Sequence, residues 1–281
     1  MSHETCSNKI RTTCPRPCLG IVRLDGYPLS WDGGAYEPAP GDVDHPISYD
    51  YPVKYCIAPN CTFDYLCDPD KFLNDENLKK RMEDGIKQAI QMLEQAGCNV
   101  ITADCGLFMW FQDYARQVTK KPVIMSSLAM LPSIFQTLDG EEEVAVFTSN
   151  ANSLNRLKDT VLGSMLGDDA KRLVVVGCDG DEYGKIDGFE AVAEGTKVDV
   201  EKVRPGMVSA AQTMLEQNPD VTAIIVECTE IPPYSDSIRQ ATGLPVYDPI
   251  TICDNFMAGF QKQGFTAKYE VVQTPRATQM V

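Results

Sequence analysis

Histidine and tryptophan are scarce in this sequence, with two of each among 281 residues. His3 lies near the start and His45 in a polar stretch where it reads as a solvated loop residue, so no Ser–His–Asp relay suggests itself, and no GxSxG elbow is present. There is no CxxC pair. The spacings of Cys6, Cys14 and Cys18 and of Cys56, Cys61 and Cys67 are not those of a zinc site, so no metal is expected. A Walker loop and a GxGxxG turn after a strand are also missing, which removes the usual nucleotide signatures, and no cofactor is expected. No apolar run approaches the length that spans a bilayer. Positive charge is in deficit: 25 Lys and Arg against 40 Asp and Glu leave a formal charge of −15. That balance repels phosphate backbones and anionic lipid, so neither a nucleic-acid nor a membrane partner is expected. With no signal peptide and no Arg/Ser-rich transit segment, the expected compartment is cytoplasmic.

Cysteine, by contrast, is abundant. Eleven residues, an odd number in an enzyme-sized chain, point to reduced thiols rather than to a disulfide framework. The apolar share of 43% is enough for a sizeable core. Two stretches repeat one another. Asn99 to Ser126 (NVITADCGLFMWFQDYARQVTKKPVIMS) and Thr222 to Pro249 (TAIIVECTEIPPYSDSIRQATGLPVYDP) each run an apolar strand into an acid and a cysteine, Asp104-Cys105 and Glu227-Cys228. Arg-Gln-x-Thr follows in both (Arg116 to Thr119, Arg239 to Thr242), and a proline stands 17 residues after each cysteine. Constant spacing of four features reads as an internal duplication.

The rest of the chain fits two such units. Cys18 to Leu24 and Lys54 to Ile57 read as strands, and Asn74 to Gln95 as a helix with Leu78, Met82, Ile86, Ile90 and Leu93 on one face and Gly97 as its stop. Helices are expected over Leu107–Val118, Ser127–Leu138, Asn152–Met165, Arg204–Gln217, Pro233–Ala241 and about Thr251–Gln263. Strands are expected at Val123–Met125, Val144–Phe147, Leu173–Val176, Ala223–Val226 and Val246–Tyr247. The alternation predicts an α/β fold: two pseudo-symmetric, doubly wound domains with mostly parallel sheets and an active site in the cleft between them. The expected boundaries are 1–17 for a mobile tail, 18–127 with 251–270 for the first domain, and 128–250 for the second. Asp25 to Tyr51, rich in Gly, Pro and Asp with interleaved aromatics, is either a surface excursion or a lid or wall of the site.

Ligands of parallel sheets bind beyond the carboxyl ends of the strands. Cys105 and Cys228 sit there, where a following helix start would favour the thiolate. Strand alternation turns Asp104 and Glu227 away from the thiols. Gly106 offers close backbone approach, and Thr229 a hydroxyl and an N–H. Two acid/base groups on opposite faces of one carbon suit proton transfer alpha to a carboxylate. Cys98, Cys178 and Cys253 read as small buried hydrophobes.

ADCGLF, VECTEIPPYS and VAVFTSN resemble the aspartate/glutamate racemase superfamily over about Leu19 to Phe260. The resemblance implies two α/β domains, Cys105 and Cys228 as an acid/base pair, carboxylate binding at Thr148, Ser149, Asn150 and Thr229 with Glu230 close by, and a homo-oligomer (dimer or tetramer). GIVRLD, the APGD segment and ADCG with its aromatic tail resemble the dimethylsulfoniopropionate lyase branch of algae and corals. That likeness implies cleavage of a small zwitterionic carboxylate to dimethyl sulfide and acrylate. Cys228 would then be the base, Cys105 would position substrate or act as acid, and Arg23 would pair with the substrate carboxylate or with an acid such as Asp25. Asp25 and Tyr27 fall at substrate-binding positions. Tyr27, Trp31, Tyr36, Phe108 and Trp110 are candidates for a wall around the sulfonium. A racemase or cis–trans isomerase using both thiols, and a non-catalytic small-molecule sensor, are the alternatives.

Overall fold

The computed structural model describes residues 16–26, 29, 34–180 and 182–261. Tyr27, Trp31, nearly all of the expected tail and the far end of the 251–270 segment lie outside the described residues. In the first half, β1 (Leu19–Arg23) leads through a long loop to β2 (Val53–Ile57), α1 (Phe63–Cys67), α2 (Asp70–Leu73) and α3 (Glu76–Gln95). Then come β3 (Val100–Ala103), α4 (Gln112–Val118), β4 (Val123–Ile124) and α5 (Leu131–Phe135). The second half has β5 (Glu143–Thr148), α6 (Ala151–Leu157), α7 (Gly163–Leu166), β6 (Leu173–Gly177), α8 (Glu190–Glu194) and α9 (Val200–Gln217). It ends with β7 (Val221–Val226), α10 (Ser235–Thr242), β8 (Val246–Tyr247) and α11 (Pro249–Ala258).

Each half builds a four-stranded sheet, in the order β2-β1-β3-β4 and β6-β5-β7-β8, and every ladder is parallel. Offsetting the strand numbers by four turns one order into the other. The repeated Arg-Gln-x-Thr has the same job in both halves. Arg116 pairs with Asp113 and Arg239 with Asp236, one turn back on α4 and α10. The threonine hydroxyls then accept from Lys121 N (3.0 Å) and Leu244 N (3.2 Å), turning the chain into Pro122 and Pro245. The carbonyls of those prolines receive Ile101 N (3.0 Å) and Ile224 N (2.9 Å), which hooks the next strand onto the sheet.

α3 shows how periodicity becomes packing. Asp75 caps it by accepting from Asn77 N and Leu78 N, and Gly97, at φ 88°, lets the chain leave. Leu78, Met82, Ile86, Ile90 and Leu93 are all buried, each worth about 1.5–3 kcal/mol as an upper bound. Gly85 lets that face approach the Pro59 carbonyl closely, where any side chain would overlap it.

Some boundaries differ from the sequence expectation. α9 starts at Val200, capped by Asp199, and carries Pro205 inside it; the proline supplies no N–H for the Glu201 carbonyl, which is why the sequence suggested a later start at Arg204. The stretch after Cys105 is a 3-10 turn, Gly106–Phe111, before α4 begins, and Ser127–Met130 is another before α5. The helix expected over Asn152–Met165 runs from α6 to α7 through one π turn, Lys158–Leu162. The short helices α1, α2 and α8 carry too few apolar repeats to be read from periodicity. α11 packs back against β3, buries Cys253 and Met257, and is tied by Tyr51 Oη donating to Asp254 Oδ1 at 2.7 Å.

Candidate active site

The carboxyl ends of β3 and β7 meet, and they do so reciprocally. The Thr229 hydroxyl donates to the Asp104 carbonyl at 2.5 Å. Gly106 lies against the Glu227 backbone so tightly that a Cβ would overlap it. The residue after each cysteine therefore touches the acid before the other cysteine. Both thiols are brought to this junction, with 8% of Cys105 and 5% of Cys228 exposed.

The acids beside the thiols are held differently. Asp104 turns back into its own half, accepting from Leu24 N at 3.1 and 3.0 Å and lying 3.8 Å from Arg23 Nε. Burial, reinforced by Asp44, nonetheless holds its carboxyl above the usual range. Glu227 accepts from the Thr148 hydroxyl at 2.7 Å, and burial raises its pKa to about 7. The Cys228 thiol donates to Glu230 Oε2 at 3.0 Å. Burial pushes Cys228 up, with Glu230 and Glu227 adding to the shift; burial and then Glu227 do the same to Cys105. The expected thiolate-favouring helix starts are thus overridden. A six-residue 3-10 turn follows Cys105, and after Cys228 the chain turns at Ile231 N→Cys228 O (3.2 Å) before its next helical residue, Pro232. Desolvation among carboxylates outweighs those short dipoles.

The long loop is a wall of this junction. Val43 N donates to Thr229 O at 3.3 Å, and Gly41 rests on Pro233. Ser48 Oγ donates to Asp42 O (2.7 Å) and accepts from Gly41 N (2.8 Å), while the Tyr49 hydroxyl donates to Val43 O (3.0 Å). Asp42 accepts from the Tyr36 hydroxyl and from Asp44 N (2.8 Å); its pKa is raised by burial, then by Glu230 and Asp44. Asp44 lies 3.6 Å from Arg23 Nε. Asp42, Asp44, Asp104 and Glu227 are buried here, with Glu230 alongside and Arg23 as the buried cation among them. Sequence reading missed Asp42 and Asp44, whose signal is the Gly-Asp-Val-Asp run inside the otherwise patternless loop.

Several expected site residues take other parts. Arg23 pairs with Asp44 and Asp104 rather than with Asp25, whose Oδ2 accepts from Asn60 N at 2.8 Å. The Thr148 hydroxyl is committed to Glu227, and Asn150 caps α6 by accepting from Ser153 N at 2.8 Å. Phe108 is fully buried, and Tyr36 is buried against Asp42. Trp110 stacks edge-on with Phe72 and faces an outer groove of about 1360 Å³ that also involves Met130 and Phe256. The aromatic sulfonium wall is therefore not built from Phe108 or Trp110: both were needed for packing, which the sequence pattern could not separate from binding. Ser149 and Asn150 line a cavity of about 270 Å³ with Phe63, Cys67, Cys178 and Phe189. Cys67, whose pKa burial and Glu227 push up to about 12, links that cavity to Cys105. His45 caps a short 3-10 turn, its Nδ1 accepting from Ile47 N at 3.2 Å. Among the described residues no cluster of His, Cys, Asp and Glu could hold a metal ion, and no helix is long and apolar enough to cross a membrane.

Two parallel sheets of one topology, meeting at thiol-bearing strand ends, define a pseudo-symmetric α/β fold of the racemase type. The fold comparisons agree. A mutant arylmalonate decarboxylase in its sulfate-associated form superposes with a TM-score of 0.55 at 19% identity, covering 88% of this chain and 95% of that one. An aspartate racemase homologue from Pyrococcus horikoshii superposes at 0.52 with 14% identity, covering 88% and 99%. The profile of the Asp/Glu/hydantoin racemase family matches residues 69–253, and the chain belongs to that family. Among its curated relatives, a dimethylsulfoniopropionate lyase of Durusdinium is 44% identical over 244 residues, covering 86% of this chain and 74% of the relative. Dimethylsulfoniopropionate lyase 7 of Emiliania huxleyi is 42% identical over 254 residues, covering 87% and 67%.

Proposed function

We propose that this protein is a dimethylsulfoniopropionate lyase, a carbon–sulfur lyase that releases dimethyl sulfide and acrylate. The observation that carries the reading is the Cys228–Glu230 contact of 3.0 Å set among buried carboxyls, in a chain so similar to named lyases. The resting pair is a thiol and a carboxylate. A sulfonium entering this acidic junction offsets the burial that holds the thiol protonated, and the thiol proton passes to Glu230, leaving a thiolate. Cys228 then removes the alpha proton. The electron pair of the C–H bond forms the double bond, and the beta carbon–sulfur bond breaks with its pair going to sulfur. Dimethyl sulfide leaves neutral, and acrylate is left as an anion among carboxylates that favour its departure.

Cys105, on the other strand end, positions the substrate or serves as acid. Gly106 and Thr229 hold the two ends together, and Ser149 and Asn150 line the cavity that takes the substrate carboxylate, Asn150 N itself donating to the Thr148 hydroxyl at 3.3 Å. Arg23 acts through Asp44 and Asp104, orienting the loop wall. The resemblance to the racemase superfamily also implies a dimer or tetramer, which light scattering would read.

The test is headspace detection of dimethyl sulfide after adding dimethylsulfoniopropionate. Release at enzyme-like rates, lost in Cys228→Ala, supports the reading. A change in optical rotation with aspartate or glutamate and no sulfide replaces it with racemisation; ligand binding without turnover in any assay leaves a sensor.

A further inference from the structure

Buried hydroxyls generally find partners, and among the described residues those of Thr222, Ser235 and Tyr234 do not; of these, Tyr234 shares the apolar cluster of Cys228. Its side chain is fully buried, yet its Oη has no hydrogen-bond partner in the structure. The ring packs edge-on against Phe189, with centroids 6.4 Å apart, and Arg204 lies 6.0 Å over it. Around it are Cys178, Cys228 and Ile231, which share its apolar cluster. Cys178 follows β6 and Cys228 follows β7, the two strands that flank β5 in the sheet. Those two strand ends flank the end of β5, where Thr148 and Ser149 lead into the cavity that Phe189 and Cys178 also line. The electrostatic neighbours of the hydroxyl agree: burial raises it, Arg204 opposes, and Cys178, Cys228 and Asp42 add to the rise. The oxygen therefore stays protonated and available as a donor.

An apolar site does not strand a hydroxyl without cost, and the preceding Pro232 and Pro233 fix its approach. We infer that the Tyr234 hydroxyl is the donor that meets the substrate carboxylate, beside Cys228, at the end of β5. The carboxylate gains electron density as the alpha proton leaves, so a neutral donor aimed at it favours the transition state more than the ground state. The inference rests on the carbon-acid reading above and extends it to a residue outside the duplicated thiol motif.

Tyr234→Phe removes one oxygen and nothing else. The expected result is a loss of about tenfold or more in kcat/KM for dimethylsulfoniopropionate, and weaker inhibition by acrylate. The thermal midpoint should be unchanged or higher, because a stranded hydroxyl has gone. Full activity with unchanged acrylate inhibition overturns the inference and leaves the hydroxyl structural. If the wild-type protein releases no sulfide, the lyase reading has failed on its own. Calorimetric binding of acrylate to wild type and Tyr234→Phe still tests the donor, and equal affinity or no binding to either sinks it. Should the variant not fold, a crystal of wild type soaked in acrylate decides: a carboxylate oxygen within hydrogen-bond distance of Tyr234 Oη supports the role, and one beyond about 4 Å refutes it.

Discussion

The two halves share a backbone and differ in how they hold charge. Asp104 N donates to Val22 O at 3.0 Å, and Glu227 N donates to Phe147 O at 2.8 Å, so the two acids occupy equivalent places. The residues that face them are Arg23 in one half and Thr148 in the other. Burial and Asp44 hold Asp104 well above the usual carboxylate range although the Leu24 amide and the guanidinium oppose the rise, whereas Glu227, opposed by one hydroxyl, rises to about 7. The thiols differ in the same sense: Cys228 donates to a carboxylate two residues on, and Cys105 is followed by Gly106 and an apolar turn. Duplication supplied the symmetric scaffold, and side-chain divergence gave each strand end its own acid–base character.

The largest expected effect tests that divergence. Cys228→Ala should lower kcat/KM for sulfide release by roughly 1000-fold, and Cys105→Ala by roughly 10- to 100-fold, both read by gas chromatography. Equal losses would mean that the halves work as equals, as in a two-base racemase. Next comes the interlock. Gly106→Ala forces Glu227 and its strand end away, costing about 2 kcal/mol in urea denaturation together with most of the activity. Thr229→Val, on the mirror contact, removes one hydrogen bond and should cost about 1 kcal/mol.

Glu227→Gln addresses charge. Because burial raises the folded-state pKa of Glu227 to about 7, the folded protein holds that proton more tightly than the unfolded chain does. Its contribution is complete below the ordinary carboxylate range and is lost as pH rises through about 7, so wild type should lose more stability between pH 4.5 and pH 8 than Glu227→Gln does. Denaturation midpoints at the two pH values check the sign. The smallest effect belongs to the repeated surface pairs: Asp113→Asn and Asp236→Asn should leave the melting temperature unchanged, since both partners are solvated.

The scaffold was legible because duplication leaves a spacing record. The apolar runs, the paired cysteines and the helix-ending Arg-Gln-x-Thr all had structural consequences at the expected places. The reciprocal contact of Gly106 and Thr229 was half visible: the residues stood out, but which surface each met depends on two segments more than 100 residues apart. Charge states were not legible. The expectation of activated thiolates weighed the helix starts, whereas burial decides the outcome, with Glu230 and Glu227 adding to it at Cys228 and Glu227 acting on Cys105 from the other half. Aromatics misled for a related reason. Phe108 and Trp110 follow Cys105 in sequence, but one faces the core and the other an outer groove. Tyr234 carried no signal beyond its place in IPPYS, because an unmet hydroxyl is a property of packing.

In the proposed reaction one thiol, on one side of the substrate, takes the proton. Dimethylsulfoniopropionate bearing a single deuterium at its alpha carbon, prepared in each of its two configurations, reports the face of attack through the deuterium content of the acrylate. The expected result is that one configuration yields acrylate that has lost its label and the other yields acrylate that has kept it. Partial loss from both configurations alike would mean that the proton leaves from either face, and a single base at Cys228 would no longer stand.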